Sequence, residues 1–150
     1  MKSAVLAAWR AHLLGMIEDL SRVSDDARAS TRVDGTHRPA NRGERGAVTT
    51  QGYLTHGLTA RLGELKAQLD HLEKVDPGPR NKAVLGALIE VDSGRFYALL
   101  PGGQGVTVTA DGIEVTVLSV EAPLARALAG LEAGEGFSWR GTELEIVGVR

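Results

Sequence analysis

Residues 72–91 read Leu72-Glu73-Lys74-Val75-Asp76-Pro77-Gly78-Pro79-Arg80-Asn81-Lys82-Ala83-Val84-Leu85-Gly86-Ala87-Leu88-Ile89-Glu90-Val91. The pattern changes character inside this stretch. Two prolines around Gly78 forbid a continuing helix, so a boundary falls at Asp76-Pro77-Gly78-Pro79. The linker is stiffened at both prolines and holds a flexible Gly78. Upstream, Leu58, Leu62, Leu65, Leu69 and Leu72 repeat at steps of four and three. That is a heptad seam on one helix face. Downstream, Val84 to Val91 is a short, nearly unbroken apolar run, which reads as a buried strand.

A second seam lies further upstream: Leu6, Trp9, Leu13, Met16, Leu20, Val23 and Ala27. Between the seams, roughly Ser30 to Thr50, the chain has no period and contains Gly35, Pro39, Gly43 and Gly46. Two single-seam helices joined by a reversal pack as an antiparallel coiled-coil hairpin, here residues 1–76 with a tip near 31–50. At about 1.5 Å per residue, a helix of about 25 residues is roughly 38 Å long. The expected shape is a rod whose tip is the turn.

Beyond the boundary, residues 80–150 read as a small α+β domain with an antiparallel sheet. Asp92-Ser93-Gly94 is a turn signal, Arg95 to Leu100 a strand, Gly105 to Thr109 a Val/Thr alternation, and Ile113 to Val120 another strand after Asp111-Gly112. Pro123 to Ala129 is a short helix with Pro near its first position and Gly130 at its end. Strands around Phe137–Trp139 and Leu144–Val149 complete it. Pro101-Gly102-Gly103-Gln104-Gly105 is Gly-rich, but a strand follows it and a phosphate loop needs a helix N-terminus, so it reads as a hairpin loop.

Composition narrows the function. The absence of Cys removes thiol catalysis, Cys-ligated zinc and iron–sulfur clusters. Aromatics at 4% are too few to stack nucleic-acid bases, and a net charge of −2 argues against direct DNA binding. No apolar run nears the roughly 18 residues that span a bilayer. Met1-Lys2-Ser3-Ala4-Val5-Leu6-Ala7-Ala8 faintly imitates a signal peptide, but Arg10, His12, Glu18 and Asp19 interrupt it, so a cytoplasmic start is expected. His12, His37, His56 and His71 show no ligand spacing, and no Ser-His-Asp grouping has a supporting motif.

The segment Ser119-Val120-Glu121-Ala122-Pro123-Leu124-Ala125-Arg126-Ala127-Leu128-Ala129-Gly130-Leu131-Glu132-Ala133-Gly134-Glu135 resembles the signature of the bacterial Gre family, the transcript-cleavage and elongation factors of RNA polymerase. Pro123, Leu124, Ala125, Arg126, Ala127, Leu128, Gly130 and Gly134 match its pattern. Ala122, Leu131 and Glu135 stand where the family has Ser, Lys and Asp. The order of parts also matches, so the resemblance covers nearly the whole chain. It implies an FKBP-like C-terminal domain that docks on the rim of the polymerase secondary channel, with Pro123, Leu124 and Arg126 as candidate docking residues. It also implies a coiled coil that enters the channel. In the family an acidic tip helps to hold a catalytic Mg²⁺, a hard cation that prefers carboxylate oxygens.

At that spot the chain departs from the pattern. Counting back from the second seam without a gap places Ala40 to Val48 on the acidic motif. Glu44 then falls on the family's Glu, and Asn41 on its Asp. From Arg28 to Gly46 there are five arginines (28, 32, 38, 42, 45) against Asp34 and Glu44. The candidate tip residues are Arg38, Asn41, Arg42, Glu44 and Arg45, either a basic contact surface or a solvated turn. Glu44 between Arg42 and Arg45 is a poor metal ligand, so no metal and no cofactor is expected.

The reading is a monomeric, non-enzymatic Gre-like factor that binds RNA polymerase and modulates transcription without stimulating cleavage. Residual cleavage through Glu44 is one alternative. Regulation of a different enzyme is another. A third is a peptidyl-prolyl isomerase, which needs an aromatic-lined pocket from Phe96, Tyr97, Phe137 and Trp139.

Overall fold

The computed structural model describes residues 1–31 and 42–150, with side chains given for 1–26 and 56–150. Two long helices come first, α1 (Lys2–Thr31) and α2 (Arg42–Glu73). Then follow strands β1 (Leu88–Val91), β2 (Phe96–Leu99), β3 (Gln104–Ala110) and β4 (Ile113–Leu118), helix α3 (Pro123–Leu128), and strands β5 (Gly136–Trp139) and β6 (Thr142–Val149). The class is α+β. The chain forms two compact units: Met1–His12 together with Gln68–Arg150, and Leu13–Ala67.

Helix α2 already includes Arg42, inside the stretch read as aperiodic to Thr50. Gly43 and Gly46 each cost about 1 kcal/mol of helix propensity, but a long helix propagates cheaply once nucleated. The seam on α1 also shifts. Trp9 and Leu13 are buried as expected, whereas Val23 is 51% exposed and its neighbour Ser24 is 1% exposed. From Val5 through Trp9 and Leu13 to Ser24 the buried face advances by nearly four residues per turn, so a strict heptad drifts off it. On α2, Leu65 and Leu72 are buried, and Leu58, Leu62 and Leu69 are partly covered.

In the unit that holds the sheet, the strand order is β3-β4-β2-β1-β6-β5. The expected antiparallel sheet is mixed, because β2 pairs with β4 in parallel, Tyr97 opposite Thr116 and Leu99 opposite Leu118. A parallel neighbour needs a crossover of about a dozen residues, and here the loop after β2 together with β3 supplies it. Pro101–Gly105 is therefore not a hairpin loop, since it carries the chain past the end of β4. Gly103 permits that crossing: a Cβ there would lie 2.3 Å from the Leu118 carbonyl carbon. Ser119 N–H donates to the Gly103 carbonyl at 3.2 Å, closing the crossing.

The first strand is also shorter than its apolar run. Val84 and Leu85 are 41% and 45% exposed, and Gly86 turns the chain with φ +89°, so pairing begins only at Leu88. On one face, Ile89, Tyr97, Leu99 and Ile146 pack with Ala125 and Leu128 of α3 and with Phe137. On the opposite face Leu88, Ala98, Leu100, Val115 and Val117 are buried as well. Burial on both faces explains why β2 shows no polar alternation. Val5, Trp9 and Leu72 belong to the same unit and are buried, and Trp9 Nε1–H donates to the Pro101 carbonyl at 3.0 Å. Arg10 meets Glu73 at 3.4 Å.

The linker at residues 76–80 is held inside this unit. Asp76 Oδ1 accepts from Gly78 N–H at 2.8 Å, Arg80 lies 3.5 Å from the other carboxylate oxygen, and Lys2 Nζ donates to the Gly78 carbonyl. The Gly78 N–H is the main reason that the Asp76 carboxyl sits below the usual carboxylate range, with Arg80 adding to it. Partial burial, followed by the nearby Arg80 charge, pulls the Lys2 ammonium below its usual range.

Candidate docking cleft between the short helix and the sheet

Helix α3 is a single short turn and a half that lies across the sheet. Pro123 starts it, which suits a position whose N–H would be unpaired anyway. Ala125 and Leu128 turn inward and are 1% and 0% exposed, so they anchor the helix to the core. The next positions around then look outward: Leu124 is half-buried, while Pro123 and Arg126 are exposed.

A cleft of about 530 Å³ opens between α3 and the sheet, with Pro123 and Leu124 on one wall. Tyr97, Trp139, Arg95 and Arg140 line it as well, together with the polar Gln104 and Thr116. The two arginines also line a neighbouring hollow of about 330 Å³ that reaches toward Ser93 and shares Tyr97 and Trp139. The Arg140 guanidinium carbon stands 5.3 Å from the Trp139 ring centroid, which holds a cation over an aromatic face. Arg140 has φ +52° in the two-residue turn Arg140-Gly141, and this positions its side chain beside Trp139. Neither Arg95 nor Arg140 has a carboxylate within ion-pair distance among the described residues, and no acidic side chain lines the cleft. A partly apolar lining that includes two unpaired cations suits a protein segment that offers an apolar side chain beside a carboxylate.

The candidate residues from the sequence divide accordingly. Pro123 and Leu124 line the cleft, whereas Arg126 projects elsewhere on α3 and is not part of it. Arg95 and Arg140 did not stand out in the sequence. The signal that was available is the turn Arg140-Gly141 directly after an aromatic strand. Of the four aromatics, Tyr97 and Trp139 reach the cleft, while Phe137 is buried in the core and Phe96 lies on another surface hollow.

The tip candidates Arg38 and Asn41 lie outside the described residues. Arg42, Glu44 and Arg45 belong to the first turns of α2, and their side chains lie outside the described set. His37 falls outside as well. His12 stacks on Trp9 with centroids 5.0 Å apart, a packing role. Among the described residues, no three His, Asp or Glu side chains gather where a metal would bind, and no helix is long and apolar enough to cross a membrane.

No family model matches the sequence, and neither does any curated protein. Solved structures do resemble the chain. One is described as the transcription factor Gfh1, at 14% identity over 95% of this chain and 93% of that one, with a TM-score of 0.36. Another is GreA factor homolog 1 (Gfh1) of Thermus thermophilus, at 14% identity over 94% of each chain, also with a TM-score of 0.36. At that identity and TM-score, neither likeness carries an argument about function.

Proposed function

We propose that this chain is a Gre-like transcription factor that binds RNA polymerase and modulates RNA synthesis through the secondary channel, without stimulating transcript cleavage. The observation that carries the reading is the signature from Ser119 to Glu135. It falls on α3 and its flanks, its apolar positions Ala125 and Leu128 fix the helix, and its Pro123 and Leu124 line a cleft. Two long helices precede it, in the order that the resemblance implies. We read those helices as an antiparallel coiled coil and the sheet with α3 as an FKBP-like domain.

In this reading the chemistry belongs to the polymerase. The cleft holds the factor on its partner, and the segment joining the helices approaches the active site. Cleavage stimulation needs carboxylates to gather Mg²⁺. The tip offers Glu44 flanked by Arg42 and Arg45, and Asn41 is a neutral amide. The factor is thus a regulator that works in the cytoplasm, carries no cofactor and is not itself an enzyme. The isomerase alternative has less support, because only two of the four aromatics reach the cleft.

The test uses backtracked elongation complexes and the full-length protein. RNA synthesis should change with added protein while the rate of transcript cleavage stays at its basal value. Mg²⁺-dependent cleavage that disappears in Glu44→Ala would replace this reading with that of a cleavage factor.

A further inference from the structure

The two edges of the sheet are built differently. At one edge, β5 has only four residues, with Glu135 just before it and Arg140 just after. Short length and flanking charge are the usual protection against edge-to-edge pairing. At the other edge, β3 runs for seven residues, Gln104 to Ala110, with a register shift between Gln104 and Val106 and a regular ladder from Val106 on; the strand itself carries no charge, and Asp111 follows it in the turn. Lys and Pro, the residues that block an edge, are both missing from the strand, which reads Gln-Gly-Val-Thr-Val-Thr-Ala.

The hairpin joining β3 to β4 fixes which backbone groups face outward. Asp111 and Gly112 have φ +51° and +76°, which makes a two-residue type I′ turn, so Ala110 and Ile113 form the hydrogen-bonded pair that flanks it. Counting back by twos, Val108 opposite Val115 and Val106 opposite Val117 are hydrogen-bonded pairs too. Thr107 and Thr109 therefore point their N–H and C=O groups away from β4. Among the described residues no backbone hydrogen bond outside the ladder reaches either threonine. Their side chains are exposed, and Thr107 Oγ1 lies 3.5 Å from Thr116 Oγ1.

We propose that β3 pairs with β3 of a second copy of this chain, antiparallel about a twofold axis at Val108. The strand is self-complementary in that arrangement. Thr107 of one copy stands opposite Thr109 of the other, and each of the two resulting pairs exchanges two N–H···O=C bonds. Threonine faces threonine across the junction, a favourable cross-strand pair. No charged residue of either strand faces a like charge. Val108 and Ala110 stay turned toward the covered face, where they are already buried. The result is one continuous sheet running through both copies. A junction of one short strand buries less than the roughly 1,000 Å² of a stable complex, so the dimer forms only at high protein concentration. This departs from the monomer expected from sequence, and it does not depend on polymerase binding.

Sedimentation equilibrium of the full chain from micromolar to millimolar concentration tests it. The average mass should climb from the single-chain 15.8 kDa toward twice that value. Thr107→Lys puts a charge on the edge, and Thr109→Pro deletes an outward N–H that the β3–β4 ladder does not use. Both variants should hold the single-chain mass throughout. Amide exchange at Thr107 and Thr109 should slow with concentration in the parent alone. A parent mass that stays constant overturns the proposal, and so does a rise that Thr107→Lys leaves unchanged. If Thr109→Pro does not fold, the lysine variant decides the matter.

Discussion

Replacing Trp9 tests whether the base of the first helix is part of the sheet's own fold. The side chain is 1% exposed, and its indole N–H donates to the Pro101 carbonyl at 3.0 Å. Truncating a buried Trp to Ala costs about 3–5 kcal/mol, and losing the hydrogen bond adds about 1 kcal/mol. For a chain of this length, 1 kcal/mol moves the melting temperature by about 2–4 °C. Trp9→Ala should therefore lower it by about 8–24 °C. Trp9→Phe keeps most of the packing and loses the donor, roughly 1–2 kcal/mol, or about 2–8 °C. The chain has two tryptophans, so in either variant Trp139 on β5 remains as the sole tryptophan reporter, and it lies in the same unit. Amide exchange at Gly102 and Gly103 should speed up in both variants, because the loop that Trp9 grips is released. A Trp9→Ala melt within 2 °C of the parent would mean that the indole is not packed in this unit.

Ser24 is 1% exposed, and its hydroxyl has no hydrogen-bond partner among the described residues, so Ser24→Ala should raise stability by about 1 kcal/mol, read as a higher melting temperature; an equal loss would show that something satisfies that hydroxyl. Asp76 is held below the usual carboxylate range by the Gly78 N–H, so its contribution is present at neutral pH and is lost as pH falls through the depressed value; Asp76→Asn should melt lower at pH 7, and the gap should close in strong acid. Substituting Arg38, Arg42 and Arg45 together by Ala should alter the effect on RNA synthesis while moving the melting temperature little; a triple variant that modulates synthesis like the parent would reduce the tip to a solvated turn.

Periodicity placed the secondary structure well wherever one face of an element decides its burial. The seam through Trp9 and Leu13 follows from such a face; on the short helix Leu128 is buried as its apolar character implies, but the expected partner Leu124 is only half-buried and Ala125 turns inward instead. It failed where a single residue step decides orientation. Val23 and Ser24 exchange roles because the helix does not keep a strict seven-residue repeat, and no local signal marks that drift. The run Val84–Val91 overstated β1 because an apolar composition cannot reveal that Gly86 turns the chain. Parallel pairing of β2 with β4 is a non-local fact, hidden behind Gly103, the glycine that lets the crossing chain pass Leu118. The candidate cleft was half legible. Pro123 and Leu124 lie in the segment that resembles the Gre signature, whereas Arg95, Trp139 and Arg140 come from different strands and turns and line the same cleft only in the folded chain.

Docking on polymerase through the cleft is tested most directly by an anisotropy titration of labelled full-length protein with core RNA polymerase. It is made with the parent and with Arg140→Glu, whose exposed side chain leaves the fold intact. Saturable binding is expected of the parent, and a dissociation constant at least tenfold higher is expected of Arg140→Glu, the equivalent of about 1.4 kcal/mol. Absence of saturable binding at micromolar polymerase would contradict the proposed function. Equal binding by the variant would remove the cleft from the docking surface.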